Sequence, residues 1–133
     1  MARQGASEDS KSRLFFPKQV RLLRRVDYRR VYSKGRRHSL DFLLTFSLAN
    51  GMPFSRIGLT VPRSLGKAVE RNFLKRRLRE ASRRHLQELG PGWDIVFNPR
   101  QAAKSVSFAR LEATVESFFL ACARTAKADT RDL

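Results

Sequence analysis

"RIGLTVPRSLGKAVERNFLKRRLREASRRHLQELGPGWDIVF", Arg56 to Phe97, decides the fold. Its two ends are short, β-branched and aromatic, and they read as strands near 56–61 and 93–97. Between them, from about Lys67 to Leu89, the apolar residues recur with helical spacing, and Gly90-Pro91-Gly92 is a strong stop. A strand, a long helix and a second strand in this order need a small sheet with helices packed on it to bury their apolar sides.

Upstream, "RVDYRRVYSKG" (Arg25–Gly35) predicts a short helix, with Asp27 in its first turn, Tyr28, Val31 and Tyr32 at i, i+3 and i+4, and Gly35 as a C′ residue. The apolar run after it, followed by Asn50-Gly51 and Pro53, predicts a strand near 40–48 and a loop. Downstream, Ser107 is a good N-cap and Val106 and Leu111 are placed for a hydrophobic staple. The core stripe of that last helix is Leu111, Val115, Phe118, Phe119 and Cys122. The expected fold is α+β, a two-layer sandwich of three to four strands with element order α-β-β-α-β-α. The expected organisation is a disordered polar tail at 1–13, one domain at 14–124 and a frayed tail at 125–133. Pro17 in "LFFPKQVRLLRR" (Leu14–Arg25) argues for an extended arm in which Phe15 and Phe16 dock.

The chain has 133 residues, 28 Lys and Arg and 12 Asp and Glu, a net charge of +16. Residues 1–84 hold 22 basic and 6 acidic side chains, whereas residues 85–133 hold 6 of each. An excess confined to one part of the chain points to a directed surface for a polyanion. A single cysteine, no apolar run long enough for a membrane span and no signal-like leader predict a soluble, cytoplasmic protein with no disulfide and no membrane partner.

On the long helix, Leu74, Leu78 and Ala81 fall on one side at 100° per residue, and Arg71, Lys75, Arg79, Asn72, Arg83 and Arg76 follow one another round the adjoining arc. A helix that needs only solubility intersperses glutamates at i±4, and this arc has none of its own. Arginine outnumbers lysine there, and its planar fork suits phosphates and base faces. No helix-turn-helix partner, zinc-ligand set or heptad accompanies it, which favours RNA over duplex DNA. Catalysis by the protein itself finds little support. His38 and His85 are far apart in sequence, and His85 lies on the apolar side of its helix as a packing residue. Cys122 has no activating neighbour, and there is no Gly-rich phosphate loop or metal-spaced His/Cys cluster. Asp27 and Asp41 read as ion-pair partners and Trp93 as core.

"GKAVERNFLKRRLRE" (Gly66–Glu80) resembles the signature of the protein subunit of bacterial ribonuclease P, an Arg-Asn-Arg run followed by Lys-Arg and further cations on one helix. "FPKQVRLLRRVDYRRVYSKG" is similar to that family's arm and first helix, "RIGLTVPRSLGKAV" to its second strand and helix entry, and "WDIVFNPR" to its last main strand. Arg71 and Asn72 match the first two signature positions, while the third is Phe73, beside the core stripe on the far side from Arg71. After the second strand Pro62 and Ser64 depart from the pattern, with Arg63 retained.

The resemblance implies a left-handed βαβ crossover, against the usual right-handed rule. It also implies a non-catalytic subunit, monomeric in the complex, beside a catalytic RNA that binds the Mg²⁺, with no cofactor held tightly by the protein alone. Arg63, Lys67, Arg71, Asn72, Lys75, Arg76, Arg79 and Arg83 would contact that RNA. Tyr28, Tyr32 and Phe46 match the cleft that receives the single-stranded 5′ leader of precursor tRNA, and Phe42 is expected on the same strand face as Phe46. Core packing is the ordinary explanation of rings at such spacings. The competing functional classes are a structural protein of the ribosome or its assembly and a DNA-binding regulator.

Overall fold

The computed structural model describes residues 20–132, with side chains described through residue 126. The expected tail at 1–13 and the start of the arm, with Phe15, Phe16, Pro17 and Lys18, lie outside the described residues. The end of the arm docks as an extended segment. Arg21 bridges Ile57 in parallel, the Leu22 amide donates to the Ile57 carbonyl at 2.9 Å, and Leu22 is buried.

Helix α1 is Arg25–Lys34, and strands β1, Arg36–Leu40, and β2, Leu43–Ala49, form a hairpin after it. Then come β3, Arg56–Leu59, α2, Ala68–Leu89, β4, Trp93–Pro99, and α3, Phe108–Asp132. The strands make one mixed sheet in the order β1-β2-β4-β3, with β3 parallel to β4 and the other two pairings antiparallel. Helix α2 is thus the crossover between two neighbouring parallel strands, the unit expected from the stretch 56–97.

The strand expected near 40–48 is two strands. Leu40 pairs with Leu43, so Asp41 and Phe42 form the turn between them. Strand β1, RRHSL, has no apolar alternation because it is an edge strand, and its charges discourage pairing with another chain. The turn also moves Phe42. Strand parity ends there, and the ring sits in the main core with the Arg110 guanidinium of α3 at 5.7 Å from its centre, away from the face that carries Phe46.

Alternation along β4 divides the interior. Ile95 and Phe97 face Leu74, Leu78, Ala81 and Leu89 of α2 and Leu111, Val115, Phe118, Phe119 and Cys122 of α3 in one large core. Val96 faces the other way, to Val31 of α1 and Leu22, with Tyr28, Phe46 and Leu48 around them. The stop and start signals act as expected. Gly90 and Gly92 take φ values of +77° and +91° beyond α2, and the Arg110 amide donates to the Ser107 hydroxyl at 3.2 Å. Helix α3 continues to Asp132, beyond the end of its apolar stripe. Gly35 behaves differently from a left-handed C′ residue. Its φ is −76°, and what demands glycine is that a Cβ would collide with the carbonyl oxygens of Val31 and Ser47.

A charged network fastens α1 to the sheet. Asp94 of β4 is fully buried and accepts bonds from Arg56 Nε at 2.9 Å, Arg56 Nη2 at 2.7 Å and Asn50 Nδ2 at 2.8 Å. Arg56 also reaches Asp27 of α1 at 3.3 Å, and Arg30 spans Asp27 at 3.3 Å and Asp94 at 3.6 Å. The hydrogen bonds to Asp94 hold the Arg56 guanidinium more firmly protonated than usual, against the cost of burial.

Candidate nucleic-acid interface

Paired residues of neighbouring strands share a face. On the α1 side the register sets Arg37, Phe46, Val96 and Gly58 in one row, and Ser39, Leu44 and Asn98 in the next. The ten-residue α1 covers only part of these rows. Tyr28 lies over Gly58, where a Cβ would come within 2.8 Å of its ring, and its hydroxyl accepts the Leu59 amide at 3.2 Å. Burial raises the Tyr28 pKa, partly offset by the bond from Leu59 and the nearby positive charge of Arg79. One turn on, Tyr32 is 36% exposed. Its hydroxyl lies 2.6 Å from Thr60 Oγ1 and donates to Asn98 Oδ1 at 3.0 Å, and its ring meets Phe46 edge to face at a centroid distance of 4.9 Å.

The structure therefore brings Tyr28, Tyr32 and Phe46 into one half-open cleft and leaves Phe42 out of it. It adds residues with no signal in the sequence pattern. Gly58 makes room for a ring, Thr60 and Asn98 orient Tyr32, and Arg100 donates to Ser39 Oγ at 3.0 Å and the Asp41 carbonyl at 3.2 Å at the end of the second row. Isolated polar residues at strand ends carry no periodicity, so only the folded register reveals them.

Helix α2 carries the cationic surface. Among the described residues no carboxylate lies within 4 Å of the charged groups of Arg71, Lys75, Arg76 or Arg79, whereas Arg83 and Arg84 pair with Glu80, Arg84 also with Glu112, and Glu70 with Lys104. Arg71 Nε donates to the Gly66 carbonyl at 3.1 Å, which holds its side chain at the helix entry near Lys67, while Asn72 and Arg76 are exposed. Arg63 is exposed on the short 3-10 turn before the helix. Arg83 differs from the rest of the arc, because it is ion-paired to Glu80, which Arg84 shares. The carboxylate-free strip thus ends at Arg79. Of the strip residues, Arg79 is the one whose positive charge is felt at the Tyr28 phenol.

Phe73 is 54% exposed and lies across the helix from Arg71. The Arg77 guanidinium stacks 5.3 Å from its ring centre and 5.9 Å from that of Phe108, and donates to the Val106 carbonyl at 2.9 Å. At the helix entry Glu70 accepts the Lys67 amide at 3.1 Å and pairs with Lys104 at 3.4 Å, and both hold its pKa below the ordinary carboxylate value. Cys122 is buried, which pushes its pKa up to about 11 and makes it a poor nucleophile. His38 packs edge to face on Phe118 and shares a hydrogen bond with Ser47, and burial followed by the Arg36 charge lowers its pKa.

A half-open aromatic cleft and a cationic helix, carried on one small mixed sheet, define an RNA-binding α+β module. Residues 16–123 match the family model described as Ribonuclease P. The protein named ribonuclease P protein component from Clostridioides difficile is 34% identical over 92 residues, covering 68% of this chain and 81% of that one. The protein of the same name from Desulfovibrio desulfuricans is 39% identical over 105 residues, covering 76% and 81%. The solved ribonuclease P protein from Thermotoga maritima superposes with a TM-score of 0.70 at 32% identity, covering 75% of this chain and 94% of that one. The chain belongs to the ribonuclease P protein family. It is a protein component of that tRNA-processing enzyme, works within the holoenzyme and has RNA as its partner, and the ribosomal alternative is not favoured. Among the described residues no helix is long and apolar enough to cross a membrane.

Proposed function

We propose that the cationic strip of α2 docks on the catalytic RNA subunit of ribonuclease P, while the cleft of Tyr28, Tyr32 and Phe46 holds the single-stranded 5′ leader of precursor tRNA. In this reading the RNA performs the hydrolysis, and the protein, as a cytoplasmic monomer in the complex, strengthens substrate binding. Arg63, Lys67, Arg71, Asn72, Lys75, Arg76 and Arg79 meet the RNA subunit, and Arg83 does so only by sharing itself with Glu80. Stacking on the cleft aromatics is worth roughly 1–3 kcal/mol per base and asks little of sequence, which suits an enzyme with many substrates.

The observation that carries this reading is that one small fold presents both a carboxylate-free cationic strip on α2, suited to phosphates, and a half-open aromatic cleft under α1, suited to bases. The reaction's Mg²⁺ is assigned mainly to the RNA. The cleft residues offer no carboxylate, and the nearest ones, Asp27 and Asp94, are engaged by Arg30 and Arg56.

The deciding experiment is cleavage of precursor tRNA at low Mg²⁺ by a bacterial ribonuclease P RNA, with and without the protein. Stimulation is expected, and its absence would sink the proposal. Arg71→Ala with Lys75→Ala is expected to weaken assembly with the RNA subunit and to flatten the salt dependence of binding, since each phosphate contact adds to that slope.

A further inference from the structure

On the side of α2 turned to α3, away from the strip and the cleft, His85 stands among three glutamates from two helices. Its Nδ1 is 2.9 Å from Glu88 Oε2 and 3.5 Å from Glu116 Oε2, and its Nε2 is 3.2 Å from Glu112 Oε2. The imidazole is largely enclosed, while Glu88 and Glu116 reach the surface at 37% and 43% exposure. Three of the twelve acidic residues of a chain with net charge +16 gather here. Arg84 pairs with Glu112 at 3.2 Å, but among the described residues Glu88 and Glu116 have no cationic partner other than His85.

A neutral imidazole has one N–H. If Nε2–H donates to Glu112, the Nδ1 lone pair faces two carboxylate oxygens, an arrangement that repels unless a cation lies between them. That cation can be the second proton of an imidazolium or a metal ion. One donor atom from each of His85, Glu88 and Glu116 lies within 4.8 Å of the others, so small side-chain adjustments suffice to surround an ion at the roughly 2.0–2.2 Å typical of zinc. The carboxylate on the far ring nitrogen completes the pattern, because metal-binding histidines ordinarily donate their other N–H to such a group. One imidazole with two carboxylates favours a divalent transition ion over Mg²⁺ or Ca²⁺, whose sites are all oxygen.

We propose that His85, Glu88 and Glu116 bind a divalent transition-metal ion such as Zn²⁺, with Glu112, itself paired to Arg84, orienting the ring from behind. The ion braces the C-terminal half of α2 against α3. This departs from the expectation of a protein with no metal of its own, and spacing along one helix has no means of revealing it, because Glu112 and Glu116 come from another. The site stands apart from the proposed RNA contacts and does not rest on them.

The test uses the full chain without an affinity tag, titrated at neutral pH with Zn²⁺ by calorimetry and with Co²⁺ by visible absorption. One equivalent is expected to bind and to raise the melting temperature. Glu88→Gln and Glu116→Gln, at partly exposed positions the fold tolerates, should each weaken binding by at least the roughly ten- to hundredfold seen for lost supporting partners, and Glu112→Gln by about that amount. Binding should also weaken as the pH falls through the imidazole range, because a proton competes for Nδ1. No binding heat and no cobalt spectrum would overturn the proposal, leaving His85 as an imidazolium in an ion-pair cluster. Unchanged affinity in both Glu88→Gln and Glu116→Gln would overturn it as well, by placing the ion elsewhere.

Discussion

The two faces of the sheet are built on opposite plans. Under α2 and α3 the interior is closed, with Ile95, Phe97, Leu111, Val115 and Phe119 all inaccessible. Under α1 it is only half closed, and the chain spends aromatic side chains there without sealing them. Strand β2 shows both plans within seven residues. Leu43, Thr45 and Ser47 point to the closed face and are buried although two are polar, whereas Leu44, Phe46 and Leu48 point to the open face, apolar and partly exposed. Apolar surface left partly open beside a strongly charged helix is surface kept for a partner.

If the faces differ in this way, mutations should separate stability from RNA binding, and the largest effect belongs to the closed side. Phe97→Ala is expected to cost about 3–5 kcal/mol in denaturant unfolding, as for large deletions in sealed cores. A loss near 1 kcal/mol would mean that this face is looser than described. Asp94→Ala is next. It strands the Arg56 guanidinium against Asp27 alone and should cost about 3 kcal/mol, within the range for breaking a buried ion pair. A loss no larger than that of a surface pair would show that the network does not hold α1 in place.

Gly58→Ala tests the open side. The new methyl group meets the Tyr28 ring at 2.8 Å and should cost about 1–3 kcal/mol through displacement of α1. A Gly58→Ala, Tyr28→Ala double variant no less stable than Tyr28→Ala alone is the signature of that clash, and additive losses would refute it. Tyr32→Ala should move stability by only about 1 kcal/mol, the scale of a typical hydrogen bond, while lowering affinity for leadered precursor tRNA more than for mature tRNA. Equal losses for the two RNAs would remove the leader from the cleft.

The smallest expected effect is one of pH. Burial opposes protonation of His85, but its bonds to Glu88 and Glu112 and the charges of Glu88 and Glu116 outweigh it, so the pKa is raised. With a folded pKa above the unfolded one, these pairs stabilise the fold below the unfolded value near 6.5 and lose that contribution as pH rises through the folded value. In chelator-containing buffer the wild type should therefore lose slightly more stability than His85→Gln between pH 6 and 8, by at most about 1 kcal/mol because the partner carboxylates of Glu88 and Glu116 are open to solvent. Identical pH profiles for the two chains would contradict the assignment.

What was legible in the sequence follows the same division. Helix α2 could be placed because its apolar period runs without a break to a pair of glycines with positive φ, and the stripe of α3 because each of its own residues is apolar. Strand β1 was hidden because an edge strand needs no hydrophobic pattern. Phe42 was misplaced because parity along a strand does not survive a turn. Arg83 looked like its neighbours on the helical wheel, but angle alone does not show which way a long side chain turns, and Glu80 claims it. Tyr28 and Tyr32 were legible as rings at helical spacing. Their supports on β3 and β4, Gly58, Thr60 and Asn98, depend on strands that meet only after the chain folds.

The position of α2 as the link between β3 and β4 has a mechanical consequence. The strands that floor the cleft stand before and after the cationic helix in the chain, so the helix and the cleft floor belong to one continuous stretch of backbone, Arg56 to Pro99. The bidentate grip of Arg56 on Asp94 then clamps the first of these strands to the second, so the loop that starts and ends at the cleft floor is closed by a charge pair as well as by the sheet.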